Sequence, residues 1–242
     1  MALRLQFVEL LMLVALATTA APAPQIERDT VVMLHGMGRT QHSMSWLAGE
    51  LRREGFEVVN FSYPSTRQSI AQSAALLRSQ LPAEAATQAG RIHFVTHSLG
   101  GIVVRALLKE HRPANLGRVV MLSPPNQGSE VADRLRNNCF YRLATGPAGQ
   151  ELGTEAGSTP NRLGAVDFPL GVITGDRSYN PLFSAWIPGA DDGKVSVRRA
   201  QIEGMTQFLI VPHSHSFIMR SSKVAAQVVD FLRHGRFEHP RT

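Results

Sequence analysis

Short apolar runs alternate along the chain with stretches in which apolar residues recur every three or four positions. The run at residues 30–34 is almost continuously apolar, a pattern typical of parallel strands that are buried on both faces. The runs of strand length cover residues 30–34, 56–61, 92–96, 118–122, 168–174 and 207–211. The amphipathic stretches predict helices at residues 43–54, 70–81, 99–107 and 224–232. Alternating strands and helices predict an α/β fold with a mostly parallel central sheet flanked by helices on both faces.

Residues 126–167 depart from this alternation. The segment is rich in glycine, and only residues 131–136 have the pattern of a short helix. A long connection of this kind is either a cap or lid insertion over a site, or a plain surface connection. Its Cys139 is expected to be a small buried apolar residue rather than a nucleophile.

Composition narrows the classes of protein to consider. The chain has 242 residues, 43% of them hydrophobic, which suits a single domain with a large core. Its net charge is +6, but the arginines are scattered and form no basic run. We therefore expect no nucleic-acid partner, although peripheral contact with an anionic membrane or an acidic substrate is compatible with the charge. The single cysteine excludes an intramolecular disulfide, and the sequence does not indicate an oligomeric state.

The first residues have the pattern of an export signal. Arg4 precedes the apolar residues 10–17, and small residues follow up to Ala23. This resembles a secretory signal peptide, and the apolar run is shorter than the roughly 20 residues that span a bilayer. We expect residues 1–21 to be a signal peptide, residues 22–242 to be the mature domain, and the protein to be exported to the periplasm or secreted. The alternatives are an uncleaved membrane anchor and the first helix of a cytosolic protein.

The most informative stretch lies at residues 91–102, where an apolar strand runs directly into a helix with Ser98 at the junction. Such a turn is tight, and Gly100 supplies the small residue that it needs. The amide of Leu99 begins the helix, and a helix N-terminus favours negative charge. The segment from Thr96 to Gly100 resembles the nucleophile elbow of the α/β-hydrolase fold, G-x-S-x-G. Thr96 replaces the first glycine, so either the elbow opens or the threonine side chain turns aside.

A second motif follows the first strand. His35 and Gly36 come directly after residues 30–34, upstream of the elbow. A strand that ends in His-Gly resembles the oxyanion loop of lipases and esterases. The resemblance implies that the amide of Met37 joins that of Leu99 in an oxyanion hole, with His35 and Gly36 supporting the loop.

The α/β-hydrolase resemblance also implies that an acid and then a histidine follow the serine along the chain. The acid candidates are Asp176, Asp191 and Asp192. Asp192 begins an Asp-Gly-x-Val stretch that resembles the acid motif of bacterial lipases, which favours Asp192 and leaves the other two as alternatives.

The base candidates are His213 and His215, which both follow the last predicted strand. Ser-His-Ser-Phe around His215 resembles the Ser-His-Thr-Phe stretch of small lipase-like hydrolases. This favours His215 as the base, with His213 as the alternative. The two histidines lack a clear third ligand, so no metal site is expected.

Together these motifs resemble the small bacterial triacylglycerol-lipase-like hydrolases over residues 30–235. The resemblance implies a serine esterase or lipase that forms an acyl-enzyme on Ser98, acts on a small-molecule or lipid ester and needs no cofactor. Acyl transfer, amide hydrolysis and thioester hydrolysis use the same groups and stay open. A non-catalytic binding protein that kept the fold, or a membrane-associated factor, is the alternative of a different class.

Overall fold

Six parallel strands form one central sheet in the computed structural model, which describes residues 28–81 and 90–238. The strands are β1 (Thr30–Leu34), β2 (Glu57–Phe61), β3 (Ile92–His97), β4 (Leu116–Leu122), β5 (Leu170–Gly175) and β6 (Gln207–Val211). Their order across the sheet is β2-β1-β3-β4-β5-β6, and every neighbouring pair is parallel. The predicted α/β fold with a parallel sheet is confirmed. Parallel pairing brings the carboxyl ends of all these strands to one edge.

Helices cover both faces of the sheet, as the pattern predicts. In chain order they are α1 (Ser45–Arg53), α2 (Ile70–Gln80), α3 (Leu99–Glu110), α4 (Glu130–Leu135), α5 (Cys139–Gln150), α6 (Thr159–Leu163), α7 (Pro181–Ser184), α8 (Val197–Ala200) and α9 (Ser222–His234). Two short 3-10 helices, Gln41–Met44 and Ile218–Arg220, accompany them. Within the described residues, no helix is both long and apolar enough to cross a bilayer.

The two faces of the sheet have separate cores, and β3 contributes to both. Phe94 packs in the core that includes α2 and α3, whereas Val95 packs in the core that includes α1 and α9. Both side chains are fully buried, because neighbouring residues of a strand point to opposite faces. A strand enclosed in this way holds its carboxyl end, and hence Ser98, in a fixed position.

Some predicted boundaries differ from the observed ones. The run at 168–174 begins its strand only at Leu170, because Pro169 has no N–H group to donate to the ladder. The helix predicted at 43–54 starts with the 3-10 helix Gln41–Met44 and becomes α-helical at Ser45.

The segment 126–167 forms three helices, α4, α5 and α6. Inside α5, Gly146 has a non-helical conformation (φ 59°, ψ −157°) that breaks the helix before Pro147. The expectation that Cys139 is buried is wrong: it is the first residue of α5 and lies within an exposed stretch, residues 137–140. The predicted signal peptide, residues 1–21, lies outside the described residues.

Candidate active site

Ser98 occupies a strained turn between β3 and α3. Its backbone has φ 53° and ψ −122°, a region that non-glycine residues rarely adopt. Backbone hydrogen bonds hold it on both sides: Ser98 N donates to Leu122 O (2.9 Å), and Gly101 N donates to Ser98 O (2.9 Å). The side chain therefore stands at the carboxyl edge of the sheet, at the start of a helix.

Close packing explains which residues the turn accepts. A Cβ on Gly100 would lie 2.9 Å from the carbonyl oxygens of Leu34 and His35, so a larger residue would force β1 and α3 apart. Thr96 is buried, and its hydroxyl lies against Gly101, where an added Cβ would come within 3.3 Å of it. The threonine thus uses space that Gly101 leaves, which accounts for the departure from the G-x-S-x-G pattern.

Three of the predicted site residues form one hydrogen-bonded chain. His215 Nδ1 lies 2.8 Å from Asp192 Oδ2, and His215 Nε2 lies 3.0 Å from Ser98 Oγ. Because a carboxylate only accepts hydrogen bonds, Nδ1 carries the proton, and Nε2 is free to accept from the serine hydroxyl. All three residues are buried, with exposed fractions of 8% for Ser98, 4% for His215 and 1% for Asp192.

The loop that carries Asp192 fixes both of its carboxylate oxygens. Oδ1 accepts from the amides of Lys194 (3.0 Å) and Val195 (2.9 Å), while Oδ2 faces His215. Burial by itself raises the pKa of Asp192, but the charge and hydrogen bond of His215 and the amide of Val195 outweigh it, and the pKa lies below its usual value. Asp192 is therefore ionised. The backbone amide of His215 also donates to Asp192 O (2.9 Å), which ties the two loops together.

Ser123 is a neighbour of this carboxylate that the sequence does not reveal. It follows β4 with a positive φ of 49°, and its amide donates to Ile173 O (2.8 Å). Its buried hydroxyl is near enough to help lower the pKa of Asp192 but makes no well-oriented hydrogen bond within the described structure. Only its place at the carboxyl end of the strand beside β3 could have indicated it, and that requires the strand order.

His97 is the second residue that sequence reasoning did not assign to the site. Its Nε2 donates to His215 O (2.9 Å), and the two rings lie 4.9 Å apart. Burial, followed by the charge of His215, lowers the pKa of His97 well below its usual value, so the ring is neutral. The contact positions the loop that carries His215.

His35 braces the loop that follows β1. Its ring stacks on Tyr63 at 4.4 Å, its Nδ1 donates to Gly36 O (2.9 Å), and the Tyr63 hydroxyl donates to His35 O (2.7 Å). Burial lowers the pKa of His35, so its ring is neutral. A Cβ on Gly36 would lie 2.7 Å from His97 Nδ1, which explains the need for glycine there.

The two amides predicted from the motifs belong to the loop after β1 and to the start of α3. Arg39 N donates to Gly36 O (3.3 Å) and closes a turn whose first central residue is Met37, and Gly38 N donates to Ser65 Oγ (3.1 Å). The turn's own hydrogen bond does not use the Met37 amide. Leu99 is the first residue of α3, so its amide has no acceptor within the helix.

The alternative acid and base candidates have other contacts. Asp191 Oδ1 accepts from Gly193 N (2.7 Å) and Ser184 Oγ (2.9 Å). Asp176 Oδ1 lies 3.6 Å from Arg177 Nε, with which it forms an ion pair. The carbonyl of His213 accepts from Arg177 N (3.3 Å). In the part of the chain that the structure describes, none of these side chains hydrogen-bonds to Ser98 or His215, and no group of three or more histidine, cysteine or acidic residues is arranged to hold a metal.

A pocket of about 280 Å³ opens above Ser98 and His215. Part of its lining is largely apolar and comes from α4, α5 and the residues after them, and the loops after β1 and β5 supply another part. The apolar part consists of Val131, Ala132, Leu135, Tyr141, Ala144 and Leu152. Segment 126–167 therefore forms a wall of the pocket.

Comparison with solved structures supports the fold. The mature form of the Bacillus licheniformis lipase BlEst2 aligns with a TM-score of 0.68 and 17% identity over 90% of this chain and 96% of that one. The metagenomic carboxyl esterase MGS0156 aligns with a TM-score of 0.65 and 19% identity over 83% of this chain and 69% of that one. YbtT, a type II thioesterase of the yersiniabactin biosynthetic pathway, aligns with a TM-score of 0.56 and 17% identity over 89% of this chain and 97% of that one. At such identities the likeness establishes the α/β-hydrolase fold alone.

Sequence comparison gives a family without an assigned function. No curated protein sequence matches the chain significantly. A family model described as a domain of unknown function, DUF7379, matches residues 13–163, which is more than half of the chain. The particular group of triacylglycerol-lipase-like hydrolases suggested by the motifs remains a prediction. The chain belongs to the DUF7379 family and has the α/β-hydrolase fold.

Proposed function

We propose that the protein is a serine hydrolase that cleaves carboxylic esters through an acyl-enzyme on Ser98. The observation that carries the proposal is the hydrogen-bonded chain from Ser98 through His215 to Asp192, which lies at the base of a largely apolar pocket. A serine hydroxyl becomes a useful nucleophile only beside a base, and the base needs an acid that holds it in the correct tautomer. His215 is placed to act as the base for Ser98, and Asp192 is placed to hold its tautomer.

In the proposed reaction, Ser98 Oγ attacks the ester carbonyl carbon while His215 Nε2 takes its proton. The carbonyl oxygen becomes an oxyanion, to which the amides of Met37 and Leu99 donate. His215 then gives its proton to the alcohol oxygen, the bond to the alcohol breaks, and the acyl group stays on Ser98. Water attacks the acyl carbonyl as His215 takes its proton, and that proton returns to Ser98 when the acid leaves. No cofactor takes part in these steps.

Ionised Asp192 stabilises the positive charge that His215 carries during each transfer. The neutral His97 hydrogen-bonds the His215 carbonyl and holds the ring over Ser98 without adding a competing charge. The strained backbone of Ser98 keeps the hydroxyl away from the sheet and directed at the pocket.

The test is hydrolysis of p-nitrophenyl esters from acetate to palmitate by the purified full chain and by Ser98→Ala. We expect turnover by the wild-type chain and a loss of several orders of magnitude in the variant. Equal rates in both proteins would refute the role of Ser98. The optimum acyl length would distinguish an esterase from a lipase.

The same groups can attack a thioester, and one of the structures with a similar fold is a thioesterase. Matched oxygen and sulfur esters of one acyl chain separate the two functions. Added alcohol or amine acceptors would reveal acyl transfer through a new ester or amide product.

We also propose that the protein is exported, on the basis of the pattern in residues 1–21. Intact-mass measurement of protein recovered from outside the cytoplasm tests this. Loss of about the first 21 residues is expected, and exported protein that retains Met1 would contradict cleavage.

A further inference from the structure

Three positively charged side chains belong to the loops that carry the reacting groups. Arg39 lies two residues after Met37, Lys194 lies two residues after Asp192, and Arg220 ends the 3-10 helix that follows His215. Arg39 and Lys194 line the same pocket as Ser98 and His215, and Arg39 Nη2 donates to Ser216 O (3.3 Å). The loops that carry Met37, Asp192 and His215 therefore each have a cation on them or directly after them.

None of these three cations has an acidic partner within ion-pair distance in the described part of the chain. The carboxylate nearest in sequence to Lys194 is Asp192, whose oxygens already accept from His215 and from backbone amides. Some arginines elsewhere on the surface pair with acids, as in Arg136–Glu155 and Arg233–Glu54. Arg39 and Lys194 are distinguished by lining the same pocket as Ser98 and His215 while having no acidic partner among the described residues.

The cations also affect one another. Loss of hydration lowers the pKa of Lys194, and the charge of Arg39 lowers it further, against the opposing effect of Asp192. Loss of hydration likewise lowers the pKa of Arg39, and Arg220 adds to the effect. Like charges in one region repel, and an anionic ligand bound among them would offset that repulsion.

We propose that the substrate is an ester whose alcohol portion carries a negative charge, a phosphate or a carboxylate, bound by Arg39 and Lys194. The proposal rests on the ester hydrolase function proposed above and defines its substrate class. The apolar residues of α4 and α5 suit the acyl chain, which leaves the part of the lining that contains Arg39 and Lys194 for the alcohol. His215 protonates the departing alcohol, and Lys194 and His215 together line both this pocket and a second depression of about 160 Å³.

The experiment compares two octanoyl esters that differ by one charge: the ester of a hydroxynitrobenzoic acid, and the same ester with its carboxylate methylated. The full chain is assayed at low and high ionic strength, and each rate is divided by that of alkaline hydrolysis to remove differences in leaving-group reactivity. Two charge-assisted contacts predict that kcat/KM favours the anionic ester by about 100-fold at low salt. The preference should decrease as salt screens the charges.

Variants assign the preference to the two side chains. Arg39→Gln and Lys194→Gln should each lower the anionic-to-neutral ratio of kcat/KM by about tenfold. The matched controls are Arg78→Gln and Lys223→Gln, which remove one charge each from exposed positions on α2 and α9. The controls should keep the wild-type ratio, because their charges lie outside the pocket.

The source of the negative charge is tested separately with dihexanoyl phosphatidate and dihexanoylglycerol. A preference for the phosphatidate points to a lipid phosphate, whereas a preference confined to the nitrobenzoate points to a small soluble ester.

The outcomes separate this proposal from the one that it rests on. If the wild-type chain hydrolyses both esters through Ser98 but shows no preference for the anionic one, the substrate proposal is overturned and the hydrolase function stands. If the preference exists but Arg78→Gln lowers it as much as Arg39→Gln does, the overall charge of the protein is responsible, and the proposed site is refuted. If neither ester is hydrolysed by folded protein, both proposals fail.

Discussion

Replacing Asp192 by asparagine tests how the acid acts on His215. The asparagine Oδ1 can keep the two hydrogen bonds from the amides of Lys194 and Val195, and its NH₂ group then faces His215 Nδ1. Because that group donates, Nδ1 must accept, and the proton moves to Nε2. Nε2 can then no longer accept the proton of Ser98. The same tautomer change in a serine protease lowers kcat by about 10⁴-fold, which corresponds to about 5 kcal/mol.

The assay is kcat for p-nitrophenyl octanoate, together with thermal unfolding to show that the variant folds. Asp191→Asn is a matched control at the adjacent position. The Asp191 Oδ1 accepts from Gly193 N and Ser184 Oγ, and an asparagine oxygen can accept from both, so we expect kcat to stay within about threefold. A folded Asp192→Asn variant within tenfold of the wild-type rate would refute the reasoning, and more so if Asp191→Asn lost activity instead.

Three further predictions concern the stability of the elbow and the acid. Thr96→Val should raise the free energy of unfolding by about 1 kcal/mol, measured in urea, because it replaces a buried hydroxyl that has no partner among the described residues; a decrease would show that the hydroxyl is satisfied. Gly100→Ala should cost about 3 kcal/mol or more in the same measurement, because its Cβ would lie 2.9 Å from atoms of Leu34 and His35; an unchanged midpoint would contradict the packing. The folded-state pKa of Asp192 is lowered, so the unfolded chain binds more protons and the contribution of Asp192 is present above the usual value of 3.8 and lost as pH falls below it. Denaturation of wild type and Asp192→Asn between about pH 2 and pH 5 should show the steeper loss in wild type, and parallel curves would refute the assignment.

The strands of the sheet and the positions of Ser98 and His215 could be predicted from the sequence, because the sequence patterns that indicate them are local. A parallel strand that is covered on both faces is a short apolar run, as the fully buried residues 30–34 show. Ser98 lies where the strand period changes to the helix period, and His215 lies shortly after the last strand. These signals need no knowledge of the strand order.

The remaining features depend on contacts between distant segments. Ser123 approaches Asp192 only because β4 lies beside β3 and β5 in the sheet. The contact of His97 with the His215 carbonyl joins residues that are 118 positions apart. The exposure of Cys139 was predicted wrongly, because a lone cysteine has no periodic pattern and its burial depends on where its helix begins.

The grouping of Arg39 with Lys194 was also not predictable, because scattered arginines and lysines in a sequence normally indicate a solvated surface. Only the folded chain brings them to one pocket, whose described lining residues include no acid. Whether residues 126–167 move as a lid stays a prediction, although the segment forms one wall of that pocket.

The central claim is that Ser98 is a nucleophile activated by His215, and covalent labelling tests it most directly. The full chain is treated with a fluorophosphonate, which reacts with activated serines, and the modified peptide is located by mass spectrometry. We expect one adduct, on the peptide that contains Ser98, which is absent in Ser98→Ala and forms much more slowly in His215→Ala. Folded protein that takes up no label, or equal labelling of Ser98→Ala, would contradict the role of Ser98.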